Sequence, residues 1–183
     1  TVWSQNHDQP FNKENFPSDS YKVEYKIFDF ESLTIEFIIV KSIDSGNIAD
    51  DCDIYLNILK GDSIINAKYL GSTWLGGTYG IPHKQALEKY FMYSKFGEWQ
   101  GLVTLIDTSG NQITFPGYYW AISDNKKYLL TKAMYPDSEL TATKFNIKTG
   151  KFITKDWHIG LNGEPWKEDK PSNYRELEIN LCE

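Results

Sequence analysis

The sequence predicts a mainly β protein built of antiparallel meanders. Three observations carry that prediction. Residues 121–155, AISDNKKYLLTKAMYPDSELTATKFNIKTGKFITK, read as three strands joined by two turns. Lys127 to Tyr135 is rich in β-forming residues and stops at Pro136-Asp137-Ser138. Leu140, Ala142, Phe145 and Ile147 are separated mostly by Thr, Lys and Asn, and Lys148-Thr149-Gly150 turns the chain into Phe152-Ile153-Thr154. Period-two alternation makes a half-buried sheet face, and Asp, Pro and Gly supply the turns between strands.

The elements follow in order. Residues 1–20 are polar and broken by Pro10 and Pro17, with Trp3, Phe11 and Phe16 as anchors, and are read as an irregular N-terminal arm. Tyr21, Val23, Tyr25 and Ile27 alternate with Lys22, Glu24 and Lys26, which makes a strand with one wet face. Leu33 to Ser42 is a more apolar second strand, and Asp44 to Asn47 is a turn. Asp53 to Lys60 and Ile64 to Leu70 are two strands about the turn Gly61-Asp62. A glycine-rich loop, Gly71 to Gly80, carries Trp74 and Tyr79.

One helix is expected over residues 82–96. Pro82 suits a first helical turn, Leu87, Tyr90, Phe91 and Ser94 recur at helical spacing, and Gly97 is a stop. Leu102 to Asp107 and Gln112 to Phe115 then form a hairpin about Thr108-Ser109-Gly110-Asn111. Residues 156–174, broken by Gly160, Gly163, Pro165 and Pro171, are loop-like. Leu177, Ile179 and Leu181 alternate with polar residues in a last strand, Glu176 to Cys182.

Composition narrows the function. A chain of 183 residues is read as a single β-rich domain spanning 1–183. The longest apolar island, Phe37 to Val40, is strand-sized, so no membrane insertion is expected. A net charge of −6 argues against nucleic acid and favours a basic partner. Two cysteines, Cys52 and Cys182, and a start at Thr1 with no basic or apolar leader read as a mature exported protein, periplasmic or secreted, with the two thiols bridged.

No motif carries chemistry. There is no G-x-S-x-G elbow, and neither cysteine lies near a histidine at ligand spacing. Ser109, His158 and Asp124 could be drawn together as a triad, and Glu98, Glu164, Asp107 and Asp124 as paired carboxylates, but nothing in their sequence context singles them out. Asp50, Asp51 and Asp53 lack the alternation and closing Glu of a calcium loop. The glycines 76, 77 and 80 lack the Lys-Ser/Thr of a phosphate loop. The sequence therefore predicts no catalytic residue, no metal and no cofactor.

Aromatic residues are the remaining signal. Six Trp, 12 Tyr and 10 Phe make up 15% of the chain. Trp74, Tyr79, Tyr118 and Trp120 lie beside glycines, where rings can form a stiff platform for a sugar or a protein. Adjacent Tyr118 and Tyr119 point to opposite faces of a strand.

The meander of residues 33–70 parallels that of 127–157; similar meanders recur in β-propeller blades, and the second copy, with Ser123-Asp124 before Lys127-Tyr128-Leu129 and then Phe145 to Lys151, looks like one. So short a chain fits an incomplete propeller-like or sandwich arrangement. A small exported β protein of this kind, with two cysteines and no catalytic motif, resembles the periplasmic immunity proteins of bacterial antagonism systems. That resemblance implies a non-enzymatic inhibitor that blocks a cognate toxin by pushing a loop into its active site. The matching loops here are Asp107–Asn111 and Gly160–Trp166, and Thr108, Ser109, Gly110 and Asn111 are preferred because the tip is tight, small and not required for packing. A carbohydrate-binding module using the aromatic platform is the second expectation, and a hydrolase whose site the sequence hides is the third.

Overall fold

In the computed structural model, three successive stretches of chain each fold into a four-stranded antiparallel meander. The structure describes residues 10–43, 52–72, 78–82, 87, 89–96, 101–132, 139–158, 165–169 and 178–180. The first meander comprises β1 (Tyr21–Phe30), β2 (Leu33–Ser42), β3 (Cys52–Lys60) and β4 (Ser63–Ser72). The second comprises β5 (Thr78–Pro82), β6 (Tyr90–Phe96), β7 (Leu102–Asp107) and β8 (Gln112–Pro116). The third comprises β9 (Tyr118–Ile122), β10 (Tyr128–Lys132), β11 (Glu139–Asn146) and β12 (Phe152–His158). A short β13 (Glu178–Asn180) adds to the second sheet beside β5, giving the order β13-β5-β6-β7-β8. The mainly β class and the antiparallel meanders are thus as the alternation predicts.

The chain, read in sequence as one domain, clusters into two compact units. The first holds residues 1–77, 108–110 and 181–183, and the second holds residues 78–107 and 111–180.

In the first unit, the odd positions of β2 and the even positions of β3 face one way. Ile35 pairs with Ile58, Phe37 with Leu56 and Ile39 with Ile54, and all six are fully buried. Each such side chain contributes roughly 1.5–3 kcal/mol by leaving water. The opposite face carries Ile38, Val40 and Tyr55, and the arm lies there: Phe16 is buried in this cluster and Phe11 packs against it. The Phe11 and Phe16 rings stack at 5.5 Å. The 3-10 turn Lys13–Asn15 between them is capped by Asn12, whose side chain accepts from the Glu14 N–H at 3.0 Å. The arm is therefore fixed by aromatic packing; Trp3, its third expected anchor, lies outside the described residues.

In the second unit the second and third sheets share one core. Met92, Val103, Leu105 and Phe115 from one sheet share a core with Leu129 and Phe145 from the other. The Phe115 and Phe145 rings meet at 5.2 Å. On the far side of the third sheet, Leu130 and Ala142 are covered by the buried Trp166.

The helix expected over 82–96 does not form. Pro82 ends β5, and Tyr90 to Phe96 is a strand paired to β7 from Tyr90–Asp107 to Lys95–Leu102. Residues 91–94 are all buried, so both faces of β6 are covered. A short run of this kind fits the helical and the extended period equally well, and pairing with neighbours on both sides then decides for the strand. The only helical turns among the described residues are 3-10, at Lys13–Asn15 and Lys167–Asp169. The aromatic stretch after Gly117, read as turn-proximal, is strand β9.

Cys52 heads β3, is buried and is not a free thiol. Cys182 lies outside the described residues.

Candidate functional site

Gly110 of a hairpin loop packs against Ile58 and Ile65 of strands β3 and β4. The hairpin loop Thr108–Asn111 is built from Asp107. Its N–H donates to the Asn111 carbonyl at 2.9 Å, and its carboxylate accepts from the Asn111 backbone N–H and from the Asn111 side-chain Nδ2, each at 3.0 Å. Asp and Asn at these positions suit a turn because short polar side chains bond nearby backbone. Asp107, drawn in sequence as a possible catalytic carboxylate, is thus engaged in holding the turn. Asn111, although exposed, has its side-chain amide bound to Asp107.

Gly110 has φ +87°, a left-handed conformation that glycine adopts without a Cβ penalty. It is buried, and a Cβ built on it would lie 2.7 Å from Ile65 Cδ1 and 3.6 Å from Ile58 Cγ2. The expectation that nothing in this tip serves packing is therefore corrected: Gly110 is the packing residue. Its neighbours Thr108 and Ser109 are exposed.

The surface beside Gly110 belongs to the β3–β4 hairpin. Gly61, with φ +57°, and Asp62 form its turn, and all residues 61–66 are exposed. Ile64 is 55% exposed and Ile65 44%. Ile65 borders Gly110, and Ile64 precedes it on β4, so two large apolar side chains are left exposed near the start of that strand. Sequence reading missed Ile64 and Ile65 because their alternation marks them as strand residues. The register shift between Ile58 and Leu59 is what alters their placement, and no local signal announces it.

Of the other expected binding residues, the structure describes only the strands on which three of them lie. Trp74 lies outside the described residues, as do residues 160–164 of the second candidate loop. That loop's last residue, Trp166, is buried rather than presented. Tyr79 sits on β5, and Tyr118 and Trp120 on β9, so these aromatics belong to two different sheets. Asp124 is exposed, and Glu98 and Glu164 lie outside the described residues. The Asp53 carboxylate accepts the Tyr69 hydroxyl at 2.7 Å, while Asp50 and Asp51 lie outside. Among the described residues no group of His, Cys, Asp or Glu is arranged to hold a metal ion. Among them, too, no helix is long and apolar enough to cross a membrane.

A second cluster, also not foreseen, lies on the third sheet. The Lys155 Nζ stands 4.1 Å above the Trp166 ring, and the Lys144 Nζ stands 4.1 Å above Tyr128. Lys144 is ion-paired with Asp169, and both are largely buried. Trp166 Nε1 is buried and has no hydrogen-bond partner among the described residues.

No protein-family model, no curated protein and no solved structure matches this chain.

Proposed function

We propose that this chain is an exported, non-enzymatic protein-binding module of the toxin-immunity kind, and that it engages its partner through the paired turns at Gly110. The observation that carries the reading is the exposure of Ile65, which borders Gly110, together with the exposure of Ile64, Thr108 and Ser109. Apolar side chains at a rigid tip bind with little ordering cost, and burying one gains roughly 1.5–3 kcal/mol. Loops can enter a concave cleft where sheet faces cannot. The net charge of −6 fits a basic partner drawn in by long-range attraction.

The test uses a partner recovered by pull-down from the native organism. Ser109→Trp and Ile64→Asp should each weaken its binding by at least about tenfold, about 1.4 kcal/mol, with the melting temperature nearly unchanged. If both variants bind normally while Tyr118→Ala or Trp74→Ala abolishes binding, an aromatic platform is the site.

Export to a periplasmic or secreted location rests on a bridge between Cys52 and Cys182. Thiol titration of the denatured, unreduced protein should then find no free thiol. Two free thiols would overturn both the bridge and the exported reading.

A further inference from the structure

We propose that β12 is a docking edge for an extended acidic segment of another protein, added as a strand alongside it. β12 is the last strand of the order β12-β11-β10-β9, so among the described residues one side of its backbone has no neighbouring strand in the sheet. An edge of this kind is a template for pairing unless the protein blunts it. Here every residue from Lys151 to Asp156 is exposed, and Phe152 and Ile153 are 56% and 60% exposed. Apolar side chains this accessible, on both faces of one edge, are what a strand-adding partner needs.

The side chains define the partner. Lys151, Ile153 and Lys155 share one face, and Phe152, Thr154 and Asp156 share the other. On the inner face, Thr154 is bonded to Thr143 at 3.0 Å and Phe152 meets Phe115 edge-on at 5.3 Å. The outer face is basic. Among the described residues neither Lys151 nor Lys155 has a carboxylate partner, whereas the neighbouring Lys144 is held by Asp169. Residues 148–156 carry three lysines against one aspartate, in a chain whose net charge is −6. A partner strand with carboxylates opposite Lys151 and Lys155 and an apolar residue opposite Ile153 matches this Lys–Ile–Lys face, because opposite charges directly across a ladder attract.

A second copy of this chain fits worse. Two-fold antiparallel pairing centred on Ile153 sets Lys151 against Lys155 twice. Centring on Thr154 or on Phe152 sets a lysine against Ile153. Like charges directly opposite each other are destabilising, so the edge discriminates against itself.

The proposal is independent of the turn site, and its test keeps the two apart. The probe is a capped heptapeptide of threonines with Glu, Val and Glu at its second, fourth and sixth positions; the control has Lys in place of Glu. Titrated into the isotopically labelled full chain, the acidic peptide should shift the amides of residues 151–157 and bind at least about tenfold more tightly than the control. Lys151→Glu, which leaves one glutamate and one lysine on the face, should abolish that preference, and Ser109→Trp should leave it unchanged. Lys151 is exposed, so its variant tests the face without touching Trp166. Methylating the peptide amides that face β12 should abolish binding. Four outcomes would overturn the proposal: no shift at millimolar peptide, shifts centred elsewhere, equal response to both peptides, or full competition by a DNA oligomer matched in charge.

Discussion

Gly110 and Ile65 touch so closely that a single added carbon between them, the Cβ of an alanine at 110, would stand 2.7 Å from the Ile65 Cδ1. This contact seats Gly110 against β3 and β4, with Thr108 and Ser109 exposed next to it in the chain and Ile64 and Ile65 exposed on β4. It is where the packing and the proposed binding surface coincide.

Gly110→Ala should therefore destabilise the protein by about 1–3 kcal/mol, from left-handed backbone strain together with the contact. Urea unfolding measures it. Shortening the partner in Gly110→Ala/Ile65→Val should recover the contact part and leave the strain, so the double variant should fall between wild type and the single variant. Equal stability of Gly110→Ala and wild type would show that the loop does not rest on Ile65.

The largely buried pair Lys144 and Asp169 gives a different signature. Removing one partner leaves an uncompensated charge away from water, so Lys144→Met should cost about 3–5 kcal/mol. Lys144→Met/Asp169→Leu should regain most of that loss, because an apolar pair of similar volume needs no counter-charge. If the double variant is no more stable than the single one, the ion pair is not the source of the effect.

Stability should fall at alkaline pH. Burial pushes the Tyr93 hydroxyl up to about 12, against an opposing hydrogen bond with Thr104, and burial with nearby Asp53 pushes Tyr55 up to about 12 as well. A group whose folded value is raised favours the folded state below its unfolded value near 10 and loses that contribution as pH rises through the folded value. For Tyr93 the slope between those limits is up to about 1.4 kcal/mol per pH unit. Urea midpoints between these two pH limits should decline, and less steeply in Tyr93→Phe. An unchanged slope in that variant would assign the decline to other groups.

The alternation of Tyr21 to Ile27 and of Leu140 to Ile147, the apolar run of Leu33 to Ser42, and Gly61 and Gly150 at turns were enough to place β1, β2 and β11 and the β3–β4 and β11–β12 turns. Period-two patterning and turn chemistry are local, and each strand states its own face. The same alternation named the hairpin loop Thr108–Asn111, because Asp, Ser, Gly and Asn are turn residues wherever they occur.

Three features needed the tertiary structure. Tyr90 to Phe96 carries a spacing compatible with either a helix or a doubly buried strand, and pairing to β7 with both faces covered made it β6. Gly110 looked dispensable because its partner, Ile65, is distant in sequence, and the register shift at Ile58–Leu59 acts where no single residue marks it. Trp166, expected as the last residue of a candidate binding loop, is instead drawn onto Leu130 and Ala142, since a large ring gains more from covering an apolar sheet face than from solvent. Local sequence fixes which residues can share a face of one strand; which strands and turns lie against each other depends on the free energy of burial summed over residues far apart in the chain.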